Sequence, residues 1–238
     1  MTSKIVFLLV ILFFCNPVQI FAQAIFLNKS ESAIGGKADL VLNNEVHGFH
    51  LYASVSPKGF LDLELAYGKR YSNNDAYSIQ TIKPSIRFYP LLYLGGNIKF
   101  SFDLSFQIND YDFRDTEQFL FFSIEQKEKI FLLGGTISFP FVLNSKYILI
   151  PELGIHQSYI ETKQTTPIFP EDTVLTFDFI TQTENDQYLS LDPGVTIGIN
   201  ISSSKILYFG YRSEYYKKRY DNFLYIGLVF NSQTKKYK

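Results

Sequence analysis

His156-Gln157-Ser158 sets an imidazole and a hydroxyl two residues apart, with Glu152 upstream and Glu161 just beyond. Residues two apart on a strand share a face. A hydroxyl, an imidazole and a carboxylate are the residue types of nucleophilic catalysis. A His-x-Ser is short enough to arise by chance, however, and the alternation around it puts His156, Ser158 and Glu152 together on the polar face of their strand. Metal binding is the second chemistry to consider. His47, His50 and His156 are the three histidines of the chain. His47 and His50 lie three residues apart, on opposite faces of a strand, and two imidazoles make a weak metal site. The sequence holds no phosphate-binding loop, no Cys-x-x-Cys and no basic cluster of the nucleic-acid-binding kind. No catalytic residue, metal or cofactor is therefore assigned.

The third chemistry is electrostatic. Projecting each strand-like segment onto its two faces collects Lys37, Asp39, His50, Asp62, Glu64, Lys83, Arg87, Lys99, Asp103, Glu152, His156, Asp192, Arg212 and Glu214 on the more polar one. The opposite faces carry almost no charge: Leu61, Leu63, Leu65 and Tyr67 in one segment, Leu224, Ile226, Leu228 and Phe230 in another. Five Lys or Arg, seven Asp or Glu and two His on facing walls of a narrow interior should pair, because a buried unpaired charge is costly. The expected result is an interior filled by a salt-bridge network. A narrow, weakly selective channel along the same groups is the alternative.

The segments that must position these charges read as strands throughout. Asn97–Asn109, NIKFSFDLSFQIN, alternates strictly, with Ile98, Phe100, Phe102, Leu104, Phe106 and Ile108 against polar neighbours. Ten such segments follow one another: Ala33–Leu42, Val46–Ser56, Gly59–Arg70, Tyr77–Pro90, Gly95–Asn109, Lys129–Leu143, Lys146–Tyr159, Gln187–Ile201, Lys205–Lys217 and Asn222–Phe230. Tight polar turns such as Ser56-Pro57-Lys58-Gly59 and Ser202-Ser203-Ser204 alternate with longer links at 71–76, 110–128 and 160–186. Short turns on one side and longer loops on the other, with an even strand number, describe an up-and-down membrane barrel. The fold expected is all-β: a transmembrane antiparallel β-barrel of about ten strands, rather than eight or twelve.

The apolar faces then look outward. Runs as bulky as Phe131, Leu133, Ile137, Phe139 and Phe141 would overfill a small barrel, whereas lipid sets no volume limit. Aromatics make up 17% of the chain, as 24 Phe and 17 Tyr without Trp, and they fall in two bands. Tyr67, Tyr159, Tyr211 and Tyr215 sit near the long-loop ends, and Phe88, Phe139, Phe141, Tyr147 and Phe230 near the short-turn ends, as interfacial girdles would. A formal net charge of −1 argues against nucleic acid as a partner.

The first 24 residues have the layout of a secretory signal: Lys4, an apolar run from Ile5 to about Cys15, then Ala22-Gln23-Ala24. Leu12-Phe13-Phe14 before Cys15 lacks the small residues that precede a lipidated cysteine, and removal of the signal takes away the single Cys of the chain. Residues 25–238 would form the barrel.

The FAQA ending of the signal, the hairpin SPKGFLDLELAYGKR (Ser56–Arg70) and the strand IKPSIRFYP (Ile82–Pro90) resemble the small outer-membrane β-barrel proteins common in Bacteroidota-type bacteria. The resemblance implies a fold and an outer-membrane location after signal cleavage, but no single activity and no functional residues. His156-Gln157-Ser158 also resembles the site of outer-membrane lipid A deacylases, and the resemblance implies acyl hydrolysis with Ser158 as nucleophile, His156 as its base and a glutamate as its orienter. Lipid hydrolysis would need the site on the lipid face, and that enzyme has fewer strands.

The long loops are where binding is expected, since loops on a rigid scaffold carry it. Phe119, Phe121 and Phe122 stand in a short apolar run, Phe177 and Phe179 in the strand-like TVLTFDFIT, and Lys217, Lys218 and Arg219 in a basic, tyrosine-flanked rim. The two long loops could extend the wall as paired strands, or form an apolar ledge. Outer-membrane lipid and lipopolysaccharide are the expected partners, with a surface or envelope protein at the loops and the barrel acting as a monomer.

Overall fold

The strict alternation of short segments carries through into backbone structure. The computed structural model describes residues 32–90, 98–113, 124–144, 146–168, 178–216 and 219–232. They form β1 (Ser32–Leu42), β2 (Val46–Ser56), β3 (Leu61–Ser72), β4 (Tyr77–Phe88), β5 (Lys99–Phe113), β6 (Glu125–Ser138), β7 (Phe141–Val142), β8 (Tyr147–Ile168), β9 (Asp178–Ser202), β10 (Lys205–Tyr216) and β11 (Arg219–Ser232). Every neighbouring pair is antiparallel. The ladder runs β6-β5-β4-β3-β2-β1-β11-β10-β9-β8, and β6 also pairs with β8, so ten strands close into a barrel with no free edge in the ring.

β7 is a two-residue continuation of the β6 wall. Pro140 lacks an N–H and interrupts the ladder, so β6 ends at Ser138 rather than running on to Leu143. Phe139 N still donates to Pro151 O at 2.9 Å, and Phe141 and Val142 rejoin β8 opposite Leu149 and Ile148.

The turns explain themselves locally. Between β2 and β3, Lys58 and Gly59 take left-handed φ values of 56° and 68°, which glycine adopts without penalty. The tight β1–β2 connection is held by Asn43, whose Oδ1 accepts from Glu45 N at 2.8 Å and Val46 N at 2.6 Å. Asn144 repeats the device toward Lys146 N and Tyr147 N. Ser32 pairs with Ser232, so both described chain ends lie on the same side as the Pro57–Gly59 and Ser202–Lys205 turns.

The two faces of the wall invert the order of a water-soluble protein. Outside, Leu65, Leu133, Ile155, Leu189 and Ile226 are each more than 40% exposed, as are Tyr67, Tyr159, Phe88 and Phe141. Inside, Asp39, His50, Asp62, Asp103, His156 and Asp192 are buried.

Several strands outrun their expected ends. β5 continues to Phe113 and β6 starts at Glu125, inside the segment read as the loop 110–128. β8 and β9 pair with each other through the segment read as the loop 160–186, from Ile160↔Asp186 to Ile168↔Asp178. Alternation could not reveal this part, because Thr181 through Gln187 are exposed on both faces. Its strand character comes from β-branched residues such as Thr162, Thr165, Thr181 and Thr183. The signal segment, Phe119, Phe121, Phe122, Phe177, Lys217 and Lys218 lie outside the described residues.

Candidate functional site

The interior is built from the inward-facing residue of every second position, and its centre is Asp103 on β5. Its Oδ1 accepts from Arg87 Nε on β4 at 2.6 Å and from the Ser101 hydroxyl at 3.1 Å. Its Oδ2 accepts from the Thr136 hydroxyl on β6 at 2.6 Å and lies 3.0 Å from His156 Nε2 on β8. The other ring nitrogen, His156 Nδ1, is 2.8 Å from Asp192 Oδ2 on β9. A chain of charges, Arg87–Asp103–His156–Asp192, thus crosses five adjacent strands. A doubly protonated imidazole donates to both carboxylates at once, and the cluster then carries two charges of each sign.

Both histidines of the interior need space that a glycine leaves. His156 stands opposite Gly134 and His50 opposite Gly68 in register. A Cβ on either glycine would overlap the imidazole facing it. His50 Nδ1 lies 3.0 Å from Asp39 Oδ1, and Lys37 Nζ sits 3.7 Å above the ring of Tyr52.

Toward the short-turn side the interior is stoppered. Tyr89 and Tyr208 are buried with Ala33, Ile206 and Val229 in one apolar cluster. Tyr89 donates to Asp62 Oδ2 at 3.2 Å, and the Ser56 hydroxyl hydrogen-bonds Asp62 Oδ1. Above the stopper, a cavity of about 100 Å³ is lined by twelve of the fourteen acidic, basic and histidine residues collected from sequence on the polar faces: Lys37, Asp39, Asp62, Glu64, Lys83, Arg87, Asp103, Glu152, His156, Asp192, Arg212 and Glu214. His50 lines the cavity next to it instead, and Lys99, half-buried at the short-turn end of β5, lines neither. A second cavity of about 250 Å³ opens toward the long-loop end and shares Tyr52, Lys83, Arg212, Glu214 and Phe223 with the first.

The chain is similar to several solved outer-membrane barrels. Ail, the attachment invasion locus protein of Yersinia pestis, is 12% identical over 85% of this chain and 99% of that chain, with a TM-score of 0.38. The translocator domain of autotransporter NalP from Neisseria meningitidis is 10% identical, over 86% of this chain and 90% of that chain, at 0.49. The outer membrane protein OprG from Pseudomonas aeruginosa is 12% identical, over 89% and 99%, at 0.41. No family model and no curated protein matches.

The acyl-hydrolase constellation does not assemble. Both ring nitrogens of His156 are engaged by carboxylates, Ser158 Oγ is buried with no hydrogen-bond partner, and Glu161 pairs with Lys129 at 2.8 Å on an exposed part of the wall. His47 faces outward and contacts Asn73, apart from His50. Among the described residues no group of three or more His, Cys, Asp or Glu could hold a metal ion. Of the loop candidates, Phe179 is 60% exposed on the protruding part of β9, and Arg219 opens β11 opposite Tyr216.

Arg70, Thr136, Tyr89 and Tyr208 belong to the interior and escaped the sequence reading. Parity was the signal: Arg70 follows Asp62 and Glu64 at even positions, Tyr89 follows Lys83 and Arg87, and Tyr208 precedes Arg212 and Glu214. Tyr89 and Tyr208 depart from the expectation that places the rings on the outer face.

Proposed function

We propose that the chain is an integral β-barrel of a bacterial outer membrane, closed inside by its charge network and acting as a structural or binding scaffold through the β8–β9 hairpin. The observation that supports this most is the inverted wall. Apolar side chains ring the outside while aspartates and histidines are buried, an order that lipid stabilises and water does not. The hairpin resemblance over Ser56–Arg70 assigns the chain to the small barrels of Bacteroidota-type bacteria, delivered by cleavage of a signal at about residue 24. Its lipid-facing belt meets outer-membrane lipid and lipopolysaccharide, and the barrel works as a monomer. The protruding pair of strands offers an unidentified envelope or surface protein a rigid platform. The residues Lys37 through Glu214 collected from sequence serve as packing of the interior rather than as a selectivity filter.

A narrow channel is the second reading, favoured by the two contiguous polar cavities. Ion conductance of refolded residues 25–238 across a planar lipid bilayer separates the two. Silence from protein whose unheated gel mobility proves it folded supports a closed scaffold. Discrete, reproducible steps overturn it and make the same charges the pore lining.

A further inference from the structure

Toward the long-loop end β9 is paired on one side only. Its ladder with β10 ends at Leu191↔Tyr215, whereas its ladder with β8 runs on to Ile168↔Asp178. Among the described residues, β9 therefore has no strand beside it on the β10 side from Asp178 to Leu189.

The register says which backbone groups lie on that edge. Asn200 N donates to Lys146 O at 2.8 Å, so the even positions of β9 turn their N–H toward β8. Pairing with β8 is unbroken from Tyr147↔Ile199 to Ile168↔Asp178, and the parity carries up the strand with it. The odd positions, Phe179, Thr181, Thr183, Asn185 and Gln187, then aim their N–H and C=O groups away from the hairpin. Gln187 fits this: its N–H donates to Asp186 Oδ1 at 2.8 Å in place of a strand partner.

Sheets commonly blunt such an edge with lysine, proline or a bulge. From Asp178 to Ser190 the sequence has no Lys and no Pro, and the ladder with β8 has no bulge. Thr181 through Gln187 are exposed. A row of backbone donors and acceptors at strand spacing matches one kind of ligand, another extended backbone.

Charge narrows the choice. From Asp178 to Ser202 β9 carries Asp178, Glu184, Asp186 and Asp192 and no Lys or Arg. All four acids stand at even positions and share a face. A second copy joining edge to edge would bring its own carboxylates beside these, and like charges across a pair are destabilising. We infer that the free edge of β9, over Phe179–Asn185, binds an extended polypeptide segment with lysine or arginine at alternate positions and takes it up as a further strand. At about 3.4 Å per residue this stretch offers about 20 Å of edge, and Asp186 closes its lower end by capping Gln187. The assignment rests on the scaffold reading of the β8–β9 hairpin.

Fluorescence anisotropy with refolded residues 25–238 in detergent tests it, using the labelled peptide Thr-Lys-Val-Lys-Thr-Lys-Val-Lys-Thr as the probe. Saturable binding is expected. It should weaken by about tenfold or more when glutamates replace the lysines, and vanish when alternate peptide nitrogens are methylated so that one edge has no donors. Thr181→Pro and Thr183→Pro each remove one N–H from the free edge, where a strand tolerates proline, and should each weaken the lysine peptide by about tenfold with unheated gel mobility unchanged. Glu184→Gln keeps the edge and lowers its charge, and should weaken the peptide by about threefold. Any of four results overturns the proposal: no saturable binding by folded protein; equal binding of the methylated peptide; unchanged affinity in both folded proline variants; or a dimer of the unliganded protein that Thr183→Pro dissociates, which gives the edge to a second copy. Conductance decides the scaffold reading separately: a silent bilayer without peptide binding rejects this edge alone, whereas discrete steps reject the scaffold.

Discussion

Asp103→Asn removes one charge from the centre of the interior and strands those around it. The carboxylate receives Arg87, Ser101, Thr136 and His156, and its side chain is 9% exposed. An asparagine keeps one acceptor oxygen and turns an NH2 toward donors that need an acceptor. Breaking a buried pair from one side costs about 3–5 kcal/mol. The Arg87 side chain is 30% exposed and can recover some hydration, which points to the lower end, about 3 kcal/mol. With a urea slope of about 1–3 kcal/mol/M, the unfolding midpoint should fall by about 1–3 M. The chain has no Trp, so unfolding is best followed by tyrosine fluorescence and the mobility of the folded band on unheated gels. Arg87→Met in the same background completes a cycle. The double variant should cost less than the sum of the two singles by about 0.5–3 kcal/mol. A midpoint within error of the wild type, or strict additivity of the two changes, would refute the claim that Asp103 organises the interior.

Leu65→Arg, in the middle of β3 and 54% exposed, should cost about 2–4 kcal/mol in a bilayer, whereas the same change on a water-facing wall would stay within about 0.5 kcal/mol; urea unfolding in liposomes reads the difference. On intact cells a membrane-impermeant maleimide should label Thr183→Cys on the β9 protrusion, and should reach Ser203→Cys on the short-turn side after the outer membrane is permeabilised; labelling of Ser203→Cys first would turn the barrel over. Tyr89→Ala with Tyr208→Ala removes the stopper and should produce conductance steps in a bilayer that the parent protein lacks. Gly134→Ala drives a methyl into His156 and should destabilise by about 1–3 kcal/mol in urea, the cost of overpacking an interior.

The sequence told the faces of the wall reliably and told the partners across it poorly. Leu61, Leu63 and Leu65 against Asp62 and Glu64 needed nothing beyond period two, and the structure turns the leucines out and the acids in. Period two also held through Lys99–Asn109, where Asp103 alternates with phenylalanines. It failed on the β8–β9 protrusion, since a strand with both faces exposed has no apolar side to report. Prolines inside expected strands had different outcomes. Pro140 ends β6 before the expected Leu143, whereas Pro193 stays within β9 opposite Leu153, inside the strand expected over Gln187–Ile201.

What no single strand could disclose is register. Asp103 and His156 are 53 residues apart, and they meet because β6 lies between their strands with Gly134 opposite His156 and Asp103. One glycine at that crossing lets the imidazole lean across β6 to the carboxylate beyond it. A one-residue slip of β6 against β8 would reverse which side chains share a face. It would set Gly135 or Leu133 against His156 and break the charge chain at its second link, Asp103 to His156. The glycine and the histidine are both ordinary in the sequence; their meaning comes from the ladder that sets them side by side. That same ladder brings Arg70, Lys83 and Arg212 from three strands around one cavity that Glu128, Glu214 and Asp221 also line. Faces follow from local alternation, whereas the chemistry of the interior follows from closure of the ring.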